Sequence, residues 1–579
     1  MPNIQQAGWI RTSALASGSA AILLGVLTGL FSSTPLADLF PGILIYLAAV
    51  LLSGAGYGVL LRAEYRQVRR LPGIPIGLVY GLVNWLIFGI VIIPTFAGQS
   101  PQWSSEQAAA QFSLLTFCLT HGMLLTAVLH ILCARGWLAR APGVTPPVSA
   151  NAIRHIVILG GGFAGVTTAQ QLEQHIQHDP SVQITLVSKT NHLLFTPMLA
   201  EVTAGSVEAQ HISPPLRAFF RHVRVVRGEP TLLDGQANTV TIKLLNGTTS
   251  TLSFDHLVLA LGATPNFFNN RNLEGHAFTF KSLVDAIHIR HQVIDCLERA
   301  DSETDTARRR TLLTFVVVGA GFAGVELIGG LNDFVRGSLW YYKQIRSEDV
   351  TLLLLHPRDR ILPELSETLA HYAEERMTSR GVTIRGGAVV TDAGNGRVSV
   401  GDEVISTDTL IWTAGNIPNP IMKNMGLVTD KRGAVITDAL LRLEGQSNIW
   451  ALGDCAAVPD IVTGKNAPPT AQYALRQAKT LAHNLHAVLH DREPKAFRHH
   501  SQGALAVVGH QTACAEVFGF RFSGLFAWLL WRGIYLSKLP TLEKKTRVLL
   551  DWIVDVFFPR DITYAPLYDE NPEAAASGD

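Results

Sequence analysis

Two segments of the chain carry the same chemistry-bearing spacing. Residues 155–166 read HIVILGGGFAGV and residues 315–325 read FVVVGAGFAGV. In each, a β-branched run leads into G-x-G-x-x-G and then a helical pattern, with Gly160, Gly162 and Gly165 in the first and Gly319, Gly321 and Gly324 in the second. Glycine lets the strand turn tightly, lets the backbone approach a pyrophosphate, and lets helix pack closely on strand. The helix N-terminus then offers free N–H groups and a positive dipole to the anion. A single copy also fits an ordinary glycine-rich turn. Two copies 159 residues apart point to paired dinucleotide cradles, with room for one nucleotide-binding domain inserted into another.

The elements around these cradles are legible too. DHLVLALGATPNFF (255–268) and DTLIWTAGNIPNP (408–420) each read as a strand ending in a glycine turn, fit to carry the chain between two domains. IWALGDCAAVP (449–459) is a strand and a glycine followed by Asp454. Its carboxylate could accept hydrogen bonds from a ribityl hydroxyl, or it could cap the next helix.

With these motifs in place, residues 153–565 resemble the type II NADH:quinone oxidoreductases. The resemblance is carried by ILGGGFAGV, LLFTPMLAEVTAG (193–205), VVGAGFAGVEL, ALGDCA, PPTAQYALRQAKTLAHNL (468–485) and LLWRGIYLSKLP…VLLDWIVDVFFPRDI (529–562). It implies an α/β flavoprotein with two Rossmann-like domains. The first cradle, with Phe163 and Ala164, would hold FAD, together with Ser188, Lys189, Thr196, Pro197, Ala260, Gly262 and Asp454. The second, with Phe322, Ala323, His356 and Gly415, would hold the nicotinamide dinucleotide. Hydride would pass from NADH to the flavin and two electrons on to a membrane quinone. Phe195, Thr196 and Pro197 would lie beside the flavin ring, Glu326 near nicotinamide and flavin, and Gln472 at the quinone end with Gln477 close by. Glu326 also suits a helix N-terminal dipole on simple electrostatic grounds.

Three positions depart from the usual patterns. The second strand of a dinucleotide fold usually ends in an acid that binds ribose hydroxyls. Here Ser188 ends QITLVSKT, and His356 stands in VTLLLLHPRDR with Arg358 and Arg360 nearby. Losing that acid weakens selection against a 2′-phosphate, so NADPH use stays open beside NADH. Where the family often has a second glutamine four residues after the first, this chain has Arg476, and Gln477 follows.

From Gly524 to Phe558 the chain turns apolar and aromatic, with Arg532 interrupting GLFAWLLWRGIYL. Helical spacing puts Val548, Leu549, Trp552, Ile553, Val556 and Phe557 on one face, with Asp551 and Asp555 off it and Lys544, Lys545 and Arg547 upstream. That pattern fits a helix lying in a membrane interface, where quinone could reach the flavin from lipid. Packing on the flavin domain or pairing of two copies in a homodimer would use the same face.

The first 134 residues hold only eight charged side chains, between apolar runs at roughly 13–31, 40–61, 73–96 and 108–134. Each run is long enough to cross about 30 Å of hydrocarbon as a helix. Arg62, Arg66, Arg69 and Arg70 crowd the second connection, and Arg135 and Arg140 follow the fourth run. This alternation predicts four spans with both ends of the block in the cytoplasm, hence a multi-pass protein of the cell inner membrane with its flavoprotein part on the cytoplasmic side. A cleaved signal peptide is the other reading of the first run. The last run holds His121 and His130, which lie on opposite helical faces and cannot clasp one metal. No span holds Asp, Glu or Lys, so a non-electrogenic reaction is expected, and no metal.

The expected organisation is a four-helix transmembrane domain (1–138), a linker (139–152), an FAD-binding domain in two parts (153–280 and 403–520, the second with the quinone-site helix), an NAD(P)H-binding domain (281–402), membrane-anchoring helices (521–565) and a loose tail (566–579). Composition sets the limits. The chain has 579 residues, 47% of them hydrophobic and 16% charged, which excludes a disordered chain. Its 47 Lys+Arg and 46 Asp+Glu give no general attraction to nucleic acid. The five cysteines, Cys118, Cys133, Cys296, Cys455 and Cys514, form no C-x-x-C. None lies close after the first cradle, which weighs against a sulfide:quinone reductase or a glutathione-reductase-like enzyme. A ferredoxin-type reductase has no use for a membrane foot. A flavin scaffold that senses redox state through the spans is the non-enzymatic alternative.

Overall fold

In a computed structural model, residues 73–85, 115–125, 153–176, 179–500 and 503–563 are described. The chain divides into two units, Met1–Pro146 and Pro147–Asp579.

In the first unit the described pieces are the helix Gly73–Asn84 and a helix over 115–125. They approach at glycines: a Cβ on Gly81 would strike the Cys118 carbonyl, and one on Gly122 would strike that of Gly77. Such close crossings at small residues are how apolar helices associate. The four expected spans lie largely outside the described residues, as does His130. Among the described residues no helix is long and apolar enough to cross a membrane.

In the second unit the two β-branched runs become the central strands of two separate sheets. Arg154–Leu159 lies between Val182–Ser188 and His256–Leu259, parallel to both. Ile449–Ala451 extends the sheet at one end, and Arg224–Asp234, Thr239–Leu244 and Thr249–Ser253 extend it at the other, the last two antiparallel. Thr314–Val318, buried throughout, lies between Thr351–Leu355 and Thr409–Trp412 in a five-stranded parallel sheet. Continuous apolar strands of this kind need cover on both faces. In each sheet a cradle leaves the end of the strand where the strand order reverses, the place where open α/β sheets form a ligand crevice.

Two domain expectations need correcting. Thr409–Trp412, expected in the returning first domain, pairs with Thr314–Val318 and completes the second sheet. Its apolar TLIW run is dictated by burial on both faces, which either sheet could supply. The chain crosses between the domains on a two-stranded antiparallel ribbon of Ala263–Pro265 and Asn416–Pro418. Second, the strands Gly503–Gly509, Thr512–Val517 and Phe520–Ser523 form a separate antiparallel sheet. The helices Gly524–Lys538 and Leu542–Phe557 follow directly, and the first of them packs Ala527 and Trp528 against that sheet.

The C-terminal helix corrects the expected apolar face as well. Val548 and Trp552 are buried against the body of the protein, while Leu550, Ile553, Val554, Val556 and Phe557 are exposed. Asp551 bonds His211 Nδ1 at 2.6 Å, Asp555 pairs with Arg560 at 3.0 Å, and buried Lys544 donates to the Gln210 carbonyl at 2.8 Å. One side of the helix is therefore docked by polar bonds and indoles, and the apolar stripe beside it is left open. Burial of Trp531 and Trp552 contributes about 1.5–3 kcal/mol each to this docking.

Candidate functional site

At the first cradle Gly160 has φ +120°, and a Cβ there would strike the Ala260 carbonyl. A Cβ on Gly165 would strike the carbonyl of Gly160, so the helix can sit this close to the strand only as glycine. A Cβ on Gly162 meets nothing within 4 Å and points into open space. The helix Phe163–Ile176 starts here, its first turn closed by Val166 N–H donating to the Gly162 carbonyl at 3.0 Å.

The cradle opens on a cavity of about 530 Å³ lined by Gly160, Gly162, Phe163, Ser188, Lys189, Thr196, Ala260 and Gly262. Lys281 and Glu229, which the sequence reading did not single out, also line it. Lys189 pairs with Glu229 at 2.9 Å on its rim. Ala164 faces Gly453, whose φ is +75°. This contact sets Asp454 beside the cradle helix, where burial raises its carboxyl above the usual range and Lys281 partly offsets the rise.

The second cradle repeats the design. Gly319 has φ +110°, and a Cβ there would lie 2.7 Å from Thr413 Oγ1. A Cβ on Gly324 would be as close to the same hydroxyl, while one on Gly321 meets nothing within 4 Å. A second cavity of about 370 Å³ is lined by Thr196, Pro197, Phe322, Ala323, Glu326, Gly415, Gln472 and Tyr535. Thr196 and Lys281 line both cavities. The two cavities therefore adjoin at these two residues, the first lined by glycines of its cradle and the second by Phe322 and Ala323 at the start of the other cradle's helix. Both volumes fall in the range of ligand pockets, and each middle glycine leaves free space where a diphosphate would lie, so the residues present fit a dinucleotide in each.

Glu326 accepts the Val507 N–H at 3.2 Å. Burial pushes its carboxyl up to about 8, against the pull of that bond, and Glu201 raises it further. A carboxyl so placed holds a proton near neutral pH and can give it up. Phe195 is buried rather than exposed to either cavity. It stacks edge-on with Phe163 at 5.8 Å and Tyr535 at 6.2 Å, linking the cradle to the C-terminal domain.

Several expected residues line neither cavity, among them Gly319, Gly321 and Gly324 of the second cradle, Gln477, His356 and Asp454. Gln477 is buried, and its Oε1 accepts the Gly453 N–H at 2.8 Å, so its amide is committed to the turn that carries Asp454. The helix register that sends Gln472 to the cavity turns Gln477 inward. His356 is buried at the end of its strand, with its backbone N–H on the Arg385 carbonyl at 3.1 Å. Asp454 borders the cradle helix without lining either cavity.

A family model of the pyridine nucleotide-disulphide oxidoreductases matches residues 154–478, and one of the NDH2 C-terminal domain matches 501–561. A type II NADH:quinone oxidoreductase, Ndh, of Mycobacterium tuberculosis is 32% identical over 418 residues, covering 69% of this chain and 88% of that protein. The chain belongs to the type II NADH:quinone oxidoreductase family. Another similar protein is the demethylphylloquinone reductase NdbB of a Synechocystis species, 30% identical over 69% of this chain and 95% of its own length. Among solved structures, NDH2 of Plasmodium falciparum in complex with NADH superposes with a TM-score of 0.67 at 19% identity, covering 71% of this chain and 100% of that one. At that identity the likeness speaks for the fold alone. The NDH2 C-terminal match starts at 501, in line with the separate sheet and helices after Gly503.

Proposed function

We propose that the protein is an FAD-dependent NADH:quinone oxidoreductase. The observation that carries the reading is that the cavity of the first glycine cradle and the cavity at the start of the second cradle's helix share Thr196 and Lys281, with Glu326 lining the second. When bound, FAD supplies a two-electron carrier that accepts hydride from NADH and returns electrons to quinone. The N–H groups behind Gly160, Gly162 and Gly165 would hold its pyrophosphate, Ser188 its ribose and Asp454 its ribityl chain. Gly319, Gly321 and Gly324 would do the same for NADH, with His356 at the end of the strand where the usual ribose acid stands. NADPH remains a second donor in this reading. Glu326 holds a proton at the shared space, and Gln472 orients the quinone.

Two further parts complete the proposal. The exposed stripe of Ile553, Val554, Val556 and Phe557 rests on a membrane, from which quinone enters. Four N-terminal spans anchor the chain without pumping ions, with the flavoprotein part on the cytoplasmic side. The sulfide:quinone alternative needs cysteine beside the flavin, and among the described residues no cysteine lines either cavity. The solved sulfide:quinone oxidoreductase of Aquifex aeolicus, with a TM-score of 0.53 at 16% identity over 72% of this chain and 100% of that one, shares only the fold.

Anaerobic spectroscopy of the full-length protein in membranes tests the reading. NADH should bleach the flavin absorbance, and ubiquinone or menaquinone analogues should restore it. Bleaching that persists after quinone is added overturns the enzyme reading in favour of a redox sensor. A membrane-potential dye that responds to NADH in proteoliposomes overturns the non-electrogenic part.

A further inference from the structure

Reduction of a quinone to a quinol takes two electrons and two protons. Hydride from NADH supplies two electrons and one proton, so each turnover draws one more proton from water. That proton has to come from solvent.

A way in is built behind Glu326. A small cavity of about 40 Å³, enough for water, shares Pro197, Ala200 and Glu326 with the reaction cavity. It shares Asp333, His510 and Arg560 with a wider recess of about 320 Å³, bordered by exposed Phe558 and Pro559. Glu201 lines the small cavity between these two ends. Its Oε2 accepts the Trp552 indole N–H at 3.0 Å, and its Oε1 lies 4.0 Å from the Arg532 guanidinium. Arg532 Nε is buried and has no hydrogen-bond partner among the described residues, which suits it to water in the same cavity.

We propose that Glu201 relays the proton that quinone reduction takes from water, passing it from the recess at Asp333, His510 and Arg560 to Glu326. The relay rests on the NADH:quinone reading. Glu326 releases its proton to the reaction cavity and becomes a carboxylate. Glu201 then gives it a proton through water and is itself recharged from the recess. No electrons move in these steps, and the one proton consumed comes from solvent.

The charges around Glu201 suit a relay. Facing it are Arg532 from the helix Gly524–Lys538, Trp552 and Asp555 from Leu542–Phe557, Arg560 beyond that helix, and Glu326 from Phe322–Ser338. Asp333, about two turns further along that last helix, is tied to Arg380. Desolvation outweighs the cations and pushes Glu201 up to about 7. Two carboxyls in series, at about 7 and about 8, can both exchange protons near neutral pH.

Glu201→Gln in the FAD-loaded full chain tests this, because glutamine keeps an acceptor for Trp552 but cannot titrate. Anaerobic stopped-flow should show flavin bleaching by NADH within about twofold of wild type and reoxidation by quinone slowed about 10- to 100-fold. The slowed step should lose its pH dependence near 7 and be restored in part by formate. Glu201→Asp should keep most of the rate and guards against a folding defect in the glutamine variant. Reoxidation of Glu201→Gln at the wild-type rate and with the wild-type pH profile overturns the relay. So does a loss shared equally by both half-reactions and untouched by formate. A wild-type protein that NADH bleaches but no quinone reoxidises fails at the underlying activity, a result distinct from either.

Discussion

The Trp552 indole N–H donates to Glu201 Oε2 across 3.0 Å, tying the C-terminal helix to the segment that follows Thr196 and Pro197. The same indole forms one side of a sandwich around Arg532, whose guanidinium carbon lies 4.6 Å from the Trp552 ring centre and 3.8 Å from that of Trp528. An arginine that interrupts an apolar helix is thus desolvated between two π faces and set opposite a carboxylate, the arrangement in which a cation–π contact is strongest.

This docking predicts the effect of trimming Trp552. Trp552→Ala should destabilise the protein by about 3–5 kcal/mol, through lost burial and an unfilled cavity. Trp552→Phe keeps most of the volume and removes only the N–H, so a loss of about 1–3 kcal/mol is expected. Urea unfolding followed by tryptophan fluorescence measures both, and a Trp552→Phe variant as stable as wild type would show that the bond to Glu201 matters little.

The middle glycines separate binding from folding. Gly162→Ala and Gly321→Ala place a methyl group where the protein offers no contact within 4 Å. Their thermal stability without ligand should stay within about 1 kcal/mol of wild type. Gly162→Ala should purify with depleted FAD. Gly321→Ala should keep its FAD and raise the KM for NADH about tenfold or more, as expected for a lost close approach to pyrophosphate. Unchanged FAD content in Gly162→Ala would place the diphosphate elsewhere.

Glu326 makes stability depend on pH. Its carboxyl is held at about 8 against an ordinary 4.5. Between those values the folded protein keeps a proton that the unfolded chain has released. Stability from this group is therefore constant below about 4.5 and declines as pH rises toward 8, by at most about 1.4 kcal/mol per pH unit. Glu326→Gln should flatten the decline between pH 5 and pH 8 in urea titrations. A variant with the same slope as wild type would mean that the carboxyl ionises normally.

The open stripe predicts membrane binding. Phe557 is 74% exposed and Val556 60%. Phe557→Ser with Val556→Ser should leave the melting temperature nearly unchanged, since neither side chain is buried. In a vesicle flotation assay, a version of the protein lacking residues 1–146 should lose binding to liposomes with these two changes. Undiminished flotation would assign the contact to another surface.

How far the sequence reached differs from part to part. Both cradles were legible, because glycine's role there is local. A strand, a turn and the first helical residues lie within a dozen positions, and the steric demand at Gly160, Gly165, Gly319 and Gly324 is met inside that span. The partner of Gln477 is not legible in the same way, because one residue of helix register separates the cavity side from the Gly453 side, and spacing alone does not say which neighbour waits there.

Local residue order thus dictates the pair of nucleotide cradles, the strands that carry them and the apolar character of the C-terminal helices. Only the tertiary structure decided which sheet takes Thr409–Trp412, which face of the last helix meets protein, and that Glu201, Arg532 and Trp552 form one cluster. The physical reason is distance along the chain. Hydrophobic periodicity records that a face is buried, but not whether lipid, a neighbouring sheet or an indole more than three hundred residues away covers it.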